Sequence, residues 1–375
     1  MYKKFSHLLS ANVPFAAFLF GRFNNGPKTP LPKELRGLYP FKLHHFENKH
    51  GTTLSYFDEG HGEAILCLHG NPTWSFYYRN VAHQLRHQYR VIALDHENMG
   101  MSDRSNRACS LADHIENVLE LIKHLNLSSV TIIGHDWGGA IACGVAKELR
   151  LKELHLEELH PEEMQGMTPI CKLNRLVLLN TAAFFSPDIP WQIALCRLPV
   201  LGNFLVKWLN MFAFPALTMA VTRPLPLPVK KGLIYPYGQG PWRKGVFEFV
   251  KDIPIETNHR TRKTLNAIEA FLPKLTVPTL FIWGTRDFCF HTGFLRQFQK
   301  LMPWAETVEF HFAGHYVLED ASEESIKVLK AFLVQTKFRQ QLTNKEESTS
   351  QNPIPVEALP NWKTPTVTFA EKGAH

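Results

Sequence analysis

The sequence predicts an α/β protein with a mostly parallel central sheet covered by helices on both faces. Three observations carry that prediction. Short β-branched and apolar runs alternate with longer stretches of helical spacing, the rhythm of strand–helix–strand crossovers. The run Ala64-Ile65-Leu66-Cys67-Leu68 is apolar without alternation, which suits a strand buried on both faces. Polar motifs follow the ends of these runs, where ligands bind in open α/β sheets.

At 375 residues the chain is long enough for one large core and an inserted region. Apolar residues make up 45% and charged residues 20%, which excludes wholesale disorder. The net charge of +7 is spread without a dense Lys/Arg block, so no nucleic-acid partner is expected. The excess is compatible with an anionic membrane surface or anionic substrates. Cys67, Cys109, Cys143, Cys171, Cys196 and Cys289 lack a C-x-x-C pair or metal-ligand spacing. They read as buried free thiols of a reducing, cytoplasmic compartment.

Residues 1–36 form a basic, apolar leader and a linker. The leader carries Lys3 and Lys4, then an aromatic-rich stretch ending at Phe20, shorter than the ~20 apolar residues of a spanning helix. Residues 8–22 are expected to lie on a membrane surface, a secretory signal and an unpacked leader being the alternatives. The first part of the core, residues 37–183, opens with an antiparallel strand pair, 42–47 and 53–57, turned at His50-Gly51. The strand 64–68 leads into His69-Gly70-Asn71-Pro72-Thr73-Trp74, and 76–85 has helical spacing. A strand at 89–94 ends in Asp95. Leu111 to Leu125 is an amphipathic helix with Ile115, Val118, Leu119 and Ile122 on one face. Residues 149–172 read as an added charged surface helix, before a strand ending in Asn180. Residues 184–268 are helical, apolar and Pro-interrupted, as a cap governing substrate selection would be. The core resumes over 269–336 with strands at 279–283 and 307–310 and a closing helix, and a disordered tail is expected over 337–375.

The chain is organised around Gly134-His135-Asp136-Trp137-Gly138. A β-branched run precedes it and small helix formers follow it, the setting of a nucleophile elbow. The raised residue is Asp136. A carboxylate is ionised near neutral pH and attacks an alkyl carbon without a base to deprotonate it. The alternative is an Asp that merely caps a Gly-rich turn. An aspartyl nucleophile needs a base to activate water and an acid to orient that base. Asp287, in Gly284-Thr285-Arg286-Asp287, and His315, in Ala313-Gly314-His315-Tyr316, stand after the last two strands. The order nucleophile, acid, His is that of the α/β-hydrolases. The preceding strand ends in Asn180, which is not acidic, and this leaves Asp287. Asn71 and Trp137 stand where backbone N–H groups form an oxyanion hole, and each adds a side-chain donor. They are expected to hold a departing anion, a turn Asn and a packed Trp being the alternative.

The His69–Trp74 string together with Gly134–Gly139 resembles the haloalkane dehalogenases. Related epoxide hydrolases share the Asp-Trp elbow but usually lack that Asn; for their two cap tyrosines, Tyr235 and Tyr237 are only nominal candidates. From Leu38 to Leu333, strings such as Trp74–Asn80, Leu179–Phe184, Phe249–Pro254 and Trp283–Phe288 resemble the third dehalogenase subfamily. Many of its members resemble the β-lactone decarboxylases of bacterial long-chain olefin biosynthesis. The resemblance implies an α/β-hydrolase fold with a helical cap and no cofactor or metal. It implies Asp136 as nucleophile, His315 and Asp287 as its partners, and Asn71 and Trp137 as anion-stabilising donors. The expected reaction is decarboxylation of a cis-dialkyl β-lactone. Haloalkane hydrolysis is the alternative, ahead of epoxide hydrolysis or a non-catalytic binding role. An apolar small molecule is the expected substrate, and assembly with other biosynthetic enzymes at the inner membrane face is a further expectation. Asn98 stands where such proteins usually carry Gly, and Asn tolerates a left-handed turn.

Overall fold

The computed structural model describes residues 31–157, 171–349 and 367–369. The leader expected to contact membrane, and residues 158–170 of the expected insert, lie outside these. Among the described residues nine strands form one sheet: β1 (Leu43–Glu47), β2 (Thr53–Glu59), β3 (Ala64–Leu68), β4 (Arg90–Leu94), β5 (Ser129–His135), β6 (Lys172–Leu179), β7 (Thr279–Gly284), β8 (Glu306–Phe310) and β9 (Val367–Phe369). The spatial order is β1-β2-β4-β3-β5-β6-β7-β8-β9. β1 and β2 pair antiparallel, β2 joins β4 antiparallel, and every later pairing is parallel. All five β3 residues are buried, as the unbroken apolar run predicts.

Helices α1 (Arg79–Leu85), α2 (Leu111–His124) and α3 (Trp137–Glu157) belong to the first part of the core. Ser110 and Asp113 form a capping box that starts α2 and satisfies N–H groups left unpaired at a helix start. The cap comprises α4 (Trp191–Arg197), α5 (Pro199–Asn203), a π turn at Phe204–Trp208, α6 (Ala213–Met219), α7 (Leu227–Ile234) and α8 (Lys244–Lys251). Then come α9 (Arg260–Phe271), α10 (Thr292–Leu301), α11 (Val317–Asp320) and α12 (Ser322–Thr349).

Three boundaries differ from expectation. No separate helix begins at Leu149: α3 runs unbroken to Glu157, because 149–157 contains neither Gly nor Pro and is rich in strong helix formers. The expected cap boundary at 268 falls inside α9, which packs against α2 and α3 of the core; the Ile268 side chain lies close to Gly144 of α3. The tail over 337–375 is not without structure, since α12 continues to Thr349 and β9 pairs with β8. Polar residues without a breaker extend a helix beyond its last buried turn, and an open sheet edge accepts a strand through backbone bonds alone.

Candidate active site

The site is built at the carboxyl ends of β5, β7 and β8. β5 ends at His135, and Asp136 turns the chain into α3 with φ +54°. This left-handed conformation is costly for a residue with a Cβ and is held by its neighbours. The Asp136 N–H donates to the Asn180 carbonyl at 3.2 Å, and its own carbonyl accepts from Thr181 Oγ1 at 2.5 Å. A Cβ on Gly138 would lie 1.9 Å from the Leu68 carbonyl oxygen, so only glycine lets α3 leave this close to β3.

The structure brings the predicted residues together. His315 Nδ1 lies 2.8 Å from Asp287 Oδ2. A carboxylate only accepts, so the proton sits on Nδ1 and Nε2 is left for the site. Nε2 stands 3.6 Å from Asp136 Oδ2. Asp136, Asp287 and His315 are all buried. Burial pushes the Asp136 carboxyl above its ordinary range, opposed by His315 and by backbone N–H bonds from Asn71 and Trp137. Burial pulls His315 down, but Asp287 and Asp136 outweigh it and hold the imidazole above its ordinary value.

Asn71 donates through its backbone, 2.7 Å to Asp136 Oδ1. Its side-chain amide is partly committed elsewhere: Nδ2 donates to the Val246 carbonyl of α8 at 3.0 Å, and Oδ1 is buried without a partner among the described residues. One amide hydrogen therefore remains for an anion. The half-buried Trp137 packs against Phe249 with ring centroids 5.4 Å apart. Its indole N–H has no partner among the described residues.

Asn180, which entered the sequence argument only as a residue that is not acidic, positions the acid. Its Nδ2 donates to Asp287 Oδ2 at 2.9 Å and to the Gly284 carbonyl at 3.0 Å, and its Oδ1 accepts the Gly284 N–H at 2.8 Å. The Cys289 N–H holds the other Asp287 oxygen at 2.7 Å. His135 Nε2 donates to the His315 carbonyl at 2.9 Å. A strand-end Asn was the available signal for the first of these; the other two have none in the sequence. Tyr237 is spent on structure, donating to the Thr73 carbonyl and accepting from the Gly100 N–H. Neither it nor Tyr235 lines the cavity. Asn98 has φ +68°, the left-handed turn that Asn tolerates.

Above Asp136 lies a cavity of about 180 Å³ between the core and the cap. Asn71, Asp136, Trp137 and His315 form its floor, and its walls are mainly apolar, including Phe184, Phe212, Met219 and Phe290. Among the described residues no cluster of three His, Cys, Asp or Glu has metal-holding geometry.

A profile of the α/β hydrolase fold matches residues 63–322. The chain belongs to the α/β-hydrolase family. Within that family it is 36% identical to a cis-3-alkyl-4-alkyloxetan-2-one decarboxylase of Shewanella oneidensis, over 84% of this chain and 95% of the relative. It is 31% identical to haloalkane dehalogenase 2 of Mycobacterium tuberculosis, over 79% of this hydrolase and 94% of the other. Among solved structures, a haloalkane dehalogenase of Bradyrhizobium elkani superposes with a TM-score of 0.69 at 21% identity, covering 80% of this chain and 99% of that one. This last likeness bears on the hydrolase fold, and the sequence relatives place the chain among enzymes.

Proposed function

We propose that this enzyme decarboxylates a cis-3,4-dialkyl β-lactone to a cis-alkene and CO2, with Asp136 as nucleophile. The observation that carries the reading is a buried carboxylate at the floor of an apolar cavity, in a chain 36% identical to a protein named for that substrate class. Asp136 Oδ1 is held by backbone N–H donation, which leaves Oδ2 to attack the ring carbon that bears oxygen. As the Asp136–carbon bond forms, the ring C–O bond breaks and a carboxylate is released beside Asn71 and Trp137. Its C–C bond then breaks, CO2 departs, the electron pair becomes the π bond, and the carbon–Asp136 bond cleaves. No water is consumed. Attack places Asp136 anti to the carboxylate, and anti elimination carries a cis ring to a cis-alkene. Asp287 and Asn180 keep His315 oriented throughout.

Haloalkane hydrolysis is the second reading, and one distance favours it: His315 Nε2 stands 3.6 Å from Asp136, placed to activate water against an alkyl ester. The test offers purified enzyme a cis-dialkyl β-lactone and, separately, a 1-bromoalkane. Equal amounts of cis-alkene and CO2 are expected from the lactone. Bromide release with neither product from the lactone overturns the proposal. Peripheral contact through residues 8–22, and assembly with enzymes that supply the lactone, extend the same reading. Deleting residues 1–30 and comparing membrane fractions tests the contact.

A further inference from the structure

Among the described residues, eight of the fourteen large apolar side chains that stay exposed lie between Trp191 and Met211, in α4, α5 and the turns after them. Trp191 is 63% exposed, Val200 83%, Phe204 50% and Trp208 61%. A contiguous sequence segment this apolar on a folded surface marks an interaction site. Its composition says what kind. From Ile189 to Phe247 there are seven Lys or Arg residues and no Asp or Glu. Exposed tryptophans in a basic stretch match the interface of an anionic bilayer, and the acidic groups at its margin, Asp188 and Glu256, face His291 and Arg197. Arg197 reaches out of the segment to Glu256 at 3.0 Å, and Lys207 lies over the Phe247 ring.

The patch is continuous with the cavity. α4 turns Gln192 and Ile193 into the cavity wall and exposes Trp191 and Leu195. Met211 lines the cavity and is itself 44% exposed, which puts it at the mouth. No single helix among the described residues is long and apolar enough to cross a membrane; Pro199–Trp208 and Ala213–Met219 reach that length and hydropathy only together, as a pair bent by 74°.

We propose that the Trp191–Met211 face of the cap docks on an anionic lipid surface, so that the cavity mouth opens against the bilayer. A lipophilic substrate then passes from lipid to Asp136 without crossing water. The inference rests on the β-lactone reading only for the kind of molecule delivered. Docking is measured without substrate, so its failure leaves the reaction assignment standing.

The test uses the full chain with phosphatidylcholine vesicles made with and without phosphatidylglycerol, read by co-sedimentation. A variant carrying Val200→Ser, Phe204→Ser and Trp208→Ser changes exposed positions that do not line the cavity. Binding to the anionic vesicles is expected, weaker binding to the neutral ones, and a loss of roughly tenfold or more in the triple variant. Turnover of a short, water-soluble substrate is expected to stay unchanged. A chain lacking residues 1–30 is expected to keep the cap-dependent part of the binding. Equal binding by parent and triple variant overturns the proposal, as does the absence of binding to anionic vesicles. Loss of all binding on deleting residues 1–30 overturns it in favour of the leader. A dimer seen by sedimentation velocity and abolished in the triple variant, without vesicle binding, overturns it in favour of a second copy of the chain.

Discussion

His315 touches both carboxylates of the site, and the two reactions open to Asp136 ask different things of it. Hydrolysis of an alkyl ester needs a neutral imidazole to take a proton from water; alkene release from a lactone does not. His315→Gln is therefore expected to let Asp136 attack a 1-bromoalkane and then stall, with the alkyl ester visible by intact mass and turnover down by roughly 10²–10⁴-fold. Asp136→Ala is expected to form no adduct. Wild-type bromide turnover in His315→Gln would remove His315 from that role. The imidazole is held above its ordinary pKa of 6.5, so the neutral base appears only as pH rises past that value. Bromide release is expected to rise with pH along a limb centred above 6.5. Asn180 acts one bond further out, through Asp287 and both polar groups of Gly284. Asn180→Ala leaves those groups buried without their partner, at about 1–3 kcal/mol. A lowered urea midpoint and slower turnover are the expected outcomes, and an unchanged pair of values would show that Asp287 needs no such support.

The elbow is the element on which the site depends, and its tolerance is set by how closely α3 leaves the sheet. Gly138→Ala puts a methyl group against the Leu68 carbonyl, and backbone cannot step aside as a flexible side chain does. A loss of roughly 3 kcal/mol or more, or failure to fold, is expected. Gly37→Ala, where nothing lies within 4 Å, is the control and is expected to stay within about 0.5 kcal/mol of the parent. Denaturant unfolding of the two variants side by side checks both. Two other elements show why local patterns mislead at boundaries. α3 and α12 both overrun their expected ends, since nothing in 149–157 or 337–349 stops a helix. Apolar spacing reports which turns are buried, whereas a helix ends where the chain supplies a breaker.

Across the whole molecule, burial of neutral histidines ties stability to pH. His69 is lowered to about 3 and His114 to about 4, in both cases chiefly by burial, and His114 stacks on Phe249 at 4.5 Å. The unfolded chain protonates such a residue near 6.5, and the folded one only near 3 for His69 and near 4 for His114. Each therefore contributes stability that is present above pH 6.5 and is lost as pH falls toward its folded value. Burial pushes the Asp95 carboxyl up to about 6, which works in the opposite direction, so a single substitution reads more cleanly than the total. His114→Gln is expected to flatten the slope of stability against pH between 6 and 4.5 by up to about 1.4 kcal/mol per pH unit. Urea unfolding at several pH values measures it, and an identical slope would show that His114 is already charged in the fold. The α/β class, the approximate positions of β1 to β8 and the motif positions of Asp136, Asp287, His315, Asn71 and Trp137 were legible in the sequence, whereas β9 was not. The central strands such as β3, β4 and β7 are local apolar runs, and each of those residues stands in a glycine-rich or strand-end motif only a few residues long. Tertiary structure alone decided that Asn180 and His135 serve Asp287 and His315, that the Asn71 amide is shared with Val246, and that α9 packs with the core. Those facts depend on which strand ends and helices become neighbours, and residues a hundred or more positions apart meet only once the sheet order is set.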